Sequence, residues 1–373
     1  MTIRALLMIG GIVIGPAALQ VAPGDGPPVA IDPAAPVPST PAVLPRSVRS
    51  MEFVYDAAPY PQAHASTIVE TRAGTIAAAW FGGTHERNPD VEIWFARRGA
   101  SGWATPVSVA NGVQPDGTRL PTWNPVLFQA PDGPLMLFYK VGPDPQRWWG
   151  MVVTSADDGR SWSKPKPLPD GILGPIKNKP VVLANGDWLS PSSREQADGG
   201  GWSLHFERSR DRGRSWTRVE VPDPQHRFDA IQPSLLTLPD GGLEAVARTR
   251  QGVVAATFSA DGGRTWSALM AVDLPNPNSG TDAVTLKNGR QLIVYNHAAH
   301  ARKTPGKGVR YPINIGLSDD GVRWRSILVL EDRPVANGYA YPAVIQTRDG
   351  LVHITYTWDR RRIRHVVLDP ARL

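Results

Sequence analysis

The chain has 373 residues, with 36 Gly, 37 Pro, 13 Trp and no Cys, and 40 Lys and Arg against 34 Asp and Glu give a net charge of +6. Gly and Pro together make about a fifth of it, too much punctuation for a helical bundle, and the missing cysteine excludes disulfides, thiolate zinc sites and thiol nucleophiles. The basic residues are scattered, with Arg360 to Arg362 the only tight cluster outside turns, so no nucleic-acid partner is expected.

The first segment carries one basic residue, Arg4, the apolar run Ala5 to Ile14, and then the small residues Gly15, Ala17 and Ala18. This predicts a secretory signal peptide over residues 1–22, because about ten apolar residues fall short of the roughly 20 a spanning helix needs. An exported protein, periplasmic or secreted and without stable membrane insertion, is the expectation. Residues 23–46 hold eight prolines and no aromatic, which reads as a semi-extended linker. The folded domain is expected over residues 47–373.

From there short runs rich in Val, Ile, Thr, Tyr and Trp recur between turn signals, an all-β pattern. Six of them begin at a polar or aromatic residue and end at a turn glycine: His64 to Gly74, Asn124 to Gly133, Lys179 to Gly186, Gln232 to Gly241, Asp282 to Gly289 and Tyr341 to Gly350. The glycines lie 59, 53, 55, 48 and 61 residues apart, a beat near 55 that fills the chain six times. A second repeat is independent of the first. Ser-x-Asp-x-Gly-x-x-Trp occurs at Ser155 to Trp162, Ser209 to Trp216 and Ser259 to Trp266, and a fourth copy, Asp319, Gly321 and Trp324, has Leu317 in place of the serine. An Asp that accepts from backbone N–H groups ahead of it, a Gly free to take positive φ and a Trp that folds back as a plug together build a hairpin turn.

Each unit therefore reads as four strands, and six units repeated radially make a six-bladed β-propeller. The last unit runs out at its third strand, and Met51 to Tyr55 are expected to supply the fourth, closing the ring and removing its exposed edges. Such a ring is self-sufficient, so a monomer is expected.

The three full boxes, Trp80 to Thr84 with Asp90 through Trp94, Gly174 to Pro180, and Tyr341-Pro342 through Trp358 resemble the sialidase superfamily, in its "predicted neuraminidase" branch with bacterial neuraminidase repeats. The likeness covers about residues 50 to 370. It implies a glycoside hydrolase acting on a terminal, acidic sugar of a glycan, with three arginines for the substrate carboxylate, a Tyr nucleophile assisted by a Glu, and an Asp acid/base. A neutral nucleophile suits an anomeric centre that already bears a carboxylate.

Carried onto this chain, Tyr341 takes the nucleophile's place, with Tyr339 its near competitor, Glu195 its partner, and Asp90 or Glu86 the acid/base. Arg194, Arg248 and Arg310 are the anion-binding candidates, because a guanidinium grips a carboxylate with two hydrogen bonds. The residues opening the six inner strands, His64, Asn124, Lys179, Gln232 and Asp282 beside Tyr341, are expected to line the substrate funnel. His64 stands where the resemblance places the first-unit arginine, and Trp148 with Trp149 form a candidate sugar platform. No cofactor and no metal is expected; His297 and His300 sit in a loop of a β protein. Two other readings share the scaffold: a non-catalytic glycan- or protein-binding propeller, and a lyase or hydrolase for another sugar.

Overall fold

The computed structural model describes residues 44–196, 201–299 and 308–373. The expected signal peptide and most of the linker lie outside the described residues.

Six sheets follow one another along the chain, all antiparallel. The first blade is built from Gln62–Glu70, Ile76–Gly83, Glu92–Gly99 and the outer Val107–Ala110. The fourth shows the plan most plainly: Ala230–Thr237 lies innermost, then Leu243–Thr249, Val253–Ser259 and the outer Met270–Pro275. In the sixth, Tyr339–Gln346, Val352–Trp358 and Arg362–Leu368 are completed by Val48–Phe53, which pairs antiparallel with the third strand from Val48 opposite Leu368 to Phe53 opposite Arg364. The two ends of the described chain therefore close the ring, with the closing strand beginning three residues earlier than Met51.

The core lies between blades. Phe81, Ile93 and Phe95 of the first blade pack with Leu127, Leu137 and Tyr139 of the second, and Leu292, Val294 and Ile315 of the fifth with Val344, Ile354 and Tyr356 of the sixth. Each such side chain stabilises by roughly 1.5–3 kcal/mol when buried, so no blade keeps its faces covered without its neighbours.

The Ser-x-Asp boxes lock these contacts at one end of the ring. In the third of them Asp261 accepts from Arg264 N and Thr265 N, both at 2.9 Å, and from Thr265 Oγ1 at 2.7 Å, while Gly263 N donates to Ser259 Oγ at 2.9 Å. Its Trp266 stacks on Phe206 of the preceding blade, ring centroids 4.1 Å apart, and Trp162 meets Phe95 edge-on at 5.2 Å. The fourth copy differs from the sequence reading by one position. Ser318 and Asp320 form the turn: Gly321 N donates to Ser318 Oγ at 2.8 Å and Arg323 N to Asp320 Oδ1 at 2.8 Å. Asp319 faces outward toward Arg290, and Leu317 is core rather than a lost serine.

At the opposite end, four inner strands carry a bulge with a left-handed residue: Ala65 (φ 56), Asn124 (φ 38), Gln232 (φ 61) and Tyr341 (φ 51). Non-glycine residues are uncommon there, and a bulge re-aims a side chain out of the ladder. In the first blade the bulge falls on Ala65 and not on His64.

Candidate functional site

Tyr341 sits at the centre of this end of the ring. Its phenol oxygen accepts from Arg248 Nη1 at 3.0 Å and from Gln232 Nε2 at 3.3 Å, so the fourth and sixth blades meet on one atom. Arg248, at the end of its strand, is anchored by Asn278 Oδ1, which accepts from its Nε at 2.9 Å and its Nη2 at 2.6 Å. Three cations surround the Tyr341 ring: Lys177 Nζ lies 5.7 Å from the centroid, and the Arg248 and Arg310 guanidiniums 5.8 Å each. His64 packs against the same ring at 4.2 Å, and its Nδ1 is 3.0 Å from Thr357 Oγ1.

The charges are consistent with an anion site. Burial drives His64 well below its usual pKa, helped by Arg360, Arg310, Arg248 and Lys177, so the imidazole is neutral. Arg310 is pushed down to about 10, by burial first and then, against the pull of Tyr341, by Arg248 and Arg360. Burial likewise brings Lys177 down to about 7. Guanidiniums that depress one another in this way gain when an anion enters between them.

Lys177 has a structural duty as well. Its ammonium donates to Asn178 Oδ1 at 2.8 Å, Thr281 O at 2.9 Å and Pro342 O at 2.6 Å, tying the third, fifth and sixth blades together beneath Tyr341. Lys179 and Asp282 are joined to each other, with Lys179 Nζ 3.0 Å from both carboxylate oxygens. Asp282 also accepts from Ser234 Oγ at 3.0 Å and Val344 N at 2.8 Å, so its oxygens brace three blades.

The carboxylates divide. Both oxygens of Asp90 turn back on their own loop and accept from Thr84 N, with Thr84 Oγ1 at 2.6 Å. Glu86 instead reaches across the seam between first and last blades, where Arg360 Nη1 donates to its Oε2 at 2.6 Å. Glu86 and Arg360 line a crevice with His64, Phe81, His85 and Val91 that is too tight to hold a water molecule. Glu195 is partly buried, which raises its pKa against the pull of Arg248 and Arg250; Glu86 raises it further. Arg194 projects from the other face of that strand. It donates to Gly171 O at 3.3 Å, and its charged neighbours are Arg218, Glu220 and Glu207, so it is not brought to Tyr341.

Tyr339 is also turned away, buried with its hydroxyl donating to Arg333 O at 2.7 Å. Asn124 is buried at its bulge. Trp148 packs edge-on against Trp123 at 5.9 Å, while Trp149 is exposed. His297 Nδ1 lies 2.5 Å from Tyr295 Oη, and His300 falls outside the described residues. A cleft of about 720 Å³ among the described residues shares Arg310 and Arg360 with the site and adds Val309, Tyr311, Val335 and Asn337 as walls.

Sequence reasoning missed Arg360, Lys177 and Asn278 as site residues. Lys177 lay within the Gly174 to Pro180 segment already singled out. Arg360 had only its place in the Arg360 to Arg362 cluster to mark it.

Six blades, Asp boxes at one end and an axial tyrosine among cations at the other define a sialidase-type propeller. Residues 74–354 match the family model described as BNR repeat-like domain, so the chain belongs to that family, within the sialidase superfamily. The anhydrosialidase of Macrobdella decora is 27% identical over 236 residues, covering 56% of this chain and 30% of that relative; the chain thus matches under a third of its length. Among solved structures, a protein of unknown function from Dyadobacter fermentans superposes with a TM-score of 0.68 at 19% identity, over 86% of this chain and 100% of that one. The NanB sialidase of Streptococcus pneumoniae gives 0.65 at 13% identity, over 88% and 71%. At these identities the solved structures bear on the fold alone.

Proposed function

We propose that the protein is an exported glycosidase of the sialidase kind that removes a terminal acidic sugar from a glycan, with Tyr341 as nucleophile. The observation that carries this reading is the Tyr341 oxygen, held at the ring axis by Arg248 and Gln232 with Arg310 and Lys177 around it.

In this mechanism the sugar carboxylate lies between Arg248 and Arg310, which places the anomeric carbon over Tyr341. The phenol attacks while its proton passes to Glu195, which burial makes a stronger base than a free carboxylate. Donors already aimed at the phenol oxygen stabilise the charge that develops there without rearrangement. Glu86 protonates the leaving oxygen, since Asp90 is occupied within its loop. Water then releases the sugar from Tyr341, with Glu86 taking its proton, and Glu195 returns the phenol's proton.

A second reading is favoured by one observation, the neutral His64 imidazole against the Tyr341 ring. A base of that kind beside a phenol and a carboxylate clamp suits β-elimination from a uronic acid. The purified protein should be screened against 4-methylumbelliferyl glycosides of sialic acids, uronic acids and rhamnose. Release of fluorophore from an acidic sugar supports the glycosidase, an unsaturated uronate product supports the lyase, and binding without turnover supports a glycan-binding propeller.

A further inference from the structure

We infer that the Glu86–Arg360 ion pair is a substrate-operated latch: the sugar's anionic group takes Arg360 from Glu86, and the carboxylate so released becomes the general acid. This rests on the glycosidase reading above and assigns Arg360 a role that the inner-strand pattern does not suggest.

The pair bridges the ring seam, Glu86 on the 84–90 loop of the first blade and Arg360 on the turn between the second and third strands of the sixth. Its placement is held by the backbone. Asp359 (φ 51) and Arg360 (φ 54) are successive non-glycine residues in the left-handed region. Three bonds hold them there: Asp359 N to Gly338 O at 2.9 Å, Asn337 N to Asp359 Oδ1 at 2.8 Å, and Ala63 N to Arg360 O at 2.8 Å, the last crossing to the first blade. Strain that persists because its surroundings over-determine it is common where a side chain must be delivered to a site.

What is delivered is a third guanidinium. Arg360 lines one crevice with His64 and one cleft with Arg310, and its charge lowers the pKa of both. Glu86 and Tyr341 are the groups that act on Arg310 in the opposite sense. Glu86 thus fills, in the free protein, the counter-ion's place that the sugar's carboxylate takes in the complex. Both groups of the pair are partly exposed, 23% for Arg360 and 33% for Glu86, so the bond is open to exchange.

Once released, Glu86 has lost its cation and still faces the charge of Glu195. The released carboxylate takes up a proton from solvent. Glu86 passes that proton to the glycosidic oxygen as the carbon–oxygen bond breaks and Tyr341 bonds to the anomeric carbon. A neutral sugar leaves the latch shut, so the same contact selects for acid and arms the catalyst.

The test is a double-mutant cycle read by calorimetric binding of 2-deoxy-2,3-dehydro-N-acetylneuraminic acid, with its methyl ester as the neutral control. Glu86→Gln should tighten the acid about fivefold, because no partner need be displaced, and Arg360→Gln should weaken it roughly tenfold. In the Arg360→Gln background, Glu86→Gln should change the affinity less than twofold, whereas loss of a negative charge alone would tighten binding equally in both backgrounds. An equal gain, or weaker binding in Glu86→Gln, overturns the latch while leaving the glycosidase reading in place. If the wild-type protein does not bind this acid, the cycle is run with the acidic sugar released in the fluorogenic screen, and failure to bind any acidic sugar overturns both. Arg360→Met serves as a second variant should Arg360→Gln not fold.

Discussion

Glu244 offers a measurable consequence of how the fourth and fifth blades meet. It lies on Leu243–Thr249, has no exposed surface, and abuts Gly321 in the turn of the next blade, where a Cβ would strike its carboxylate. Among the described residues neither carboxylate oxygen has a hydrogen-bond partner. Burial, with Asp320 adding to it, pushes its pKa from 4.5 up to about 9. Between those values the folded chain keeps a proton that the unfolded chain releases. The contribution to stability is therefore complete below pH 4.5 and is lost as pH rises toward 9, at about 1.4 kcal/mol per pH unit. Urea unfolding of the wild type and Glu244→Met, followed by tryptophan fluorescence at pH 5 and pH 8, measures this. The wild type should lose roughly 4 kcal/mol more than the variant between those two values. Parallel pH profiles would refute the reasoning, since they would mean that Glu244 is solvated or paired in the folded protein.

Three further outcomes are expected. Deleting the closing strand Val48–Phe53 exposes an edge of the sixth blade and removes the Glu52 contacts to Arg98 and His365, so calorimetry should show melting at least roughly 10 °C lower; unchanged melting would contradict closure of the ring. Asp261→Ala leaves two backbone N–H groups and the Thr265 hydroxyl without their acceptor, at a cost of about 2 kcal/mol in urea unfolding, with kcat/KM unchanged because the turn is at the opposite end of the ring. Arg248→Lys cannot reach both Asn278 and Tyr341, and should lower kcat/KM for an acidic sugar by about tenfold or more in fluorogenic assays; equal activity would remove Arg248 from the site.

The fold was legible because its devices are local. A Ser, an Asp, a Gly and a Trp at fixed spacing specify a turn wherever they occur, and Ser259 to Trp266 behaves as that chemistry requires. The fifth blade departs by one residue because Ser318 and Asp320 make the same bonds with one residue fewer between them and Gly321, and spacing alone cannot detect a tightened turn. The site was less legible because it depends on contacts across blades. Lys179 and Asp282 are both polar and both open inner strands, yet they satisfy each other across 103 residues of sequence. Glu195 and Arg194 are neighbours in sequence but point to opposite faces of one strand, and the alternation alone does not say which face looks to the axis. Arg360 owes its position to a left-handed pair of residues that no propensity favours, stabilised by bonds to Asn337, Gly338 and Ala63.

In the proposed mechanism Tyr341 bonds covalently to the sugar. Its direct test is mass spectrometry of the protein treated with the 2,3-difluoro derivative of whichever acidic sugar it cleaves, because the fluorines destabilise the oxocarbenium-like transition state and the covalent intermediate hydrolyses slowly. A single adduct is expected on the peptide containing Tyr341, absent from Tyr341→Phe. An adduct on another residue, or full turnover by Tyr341→Phe, would contradict it.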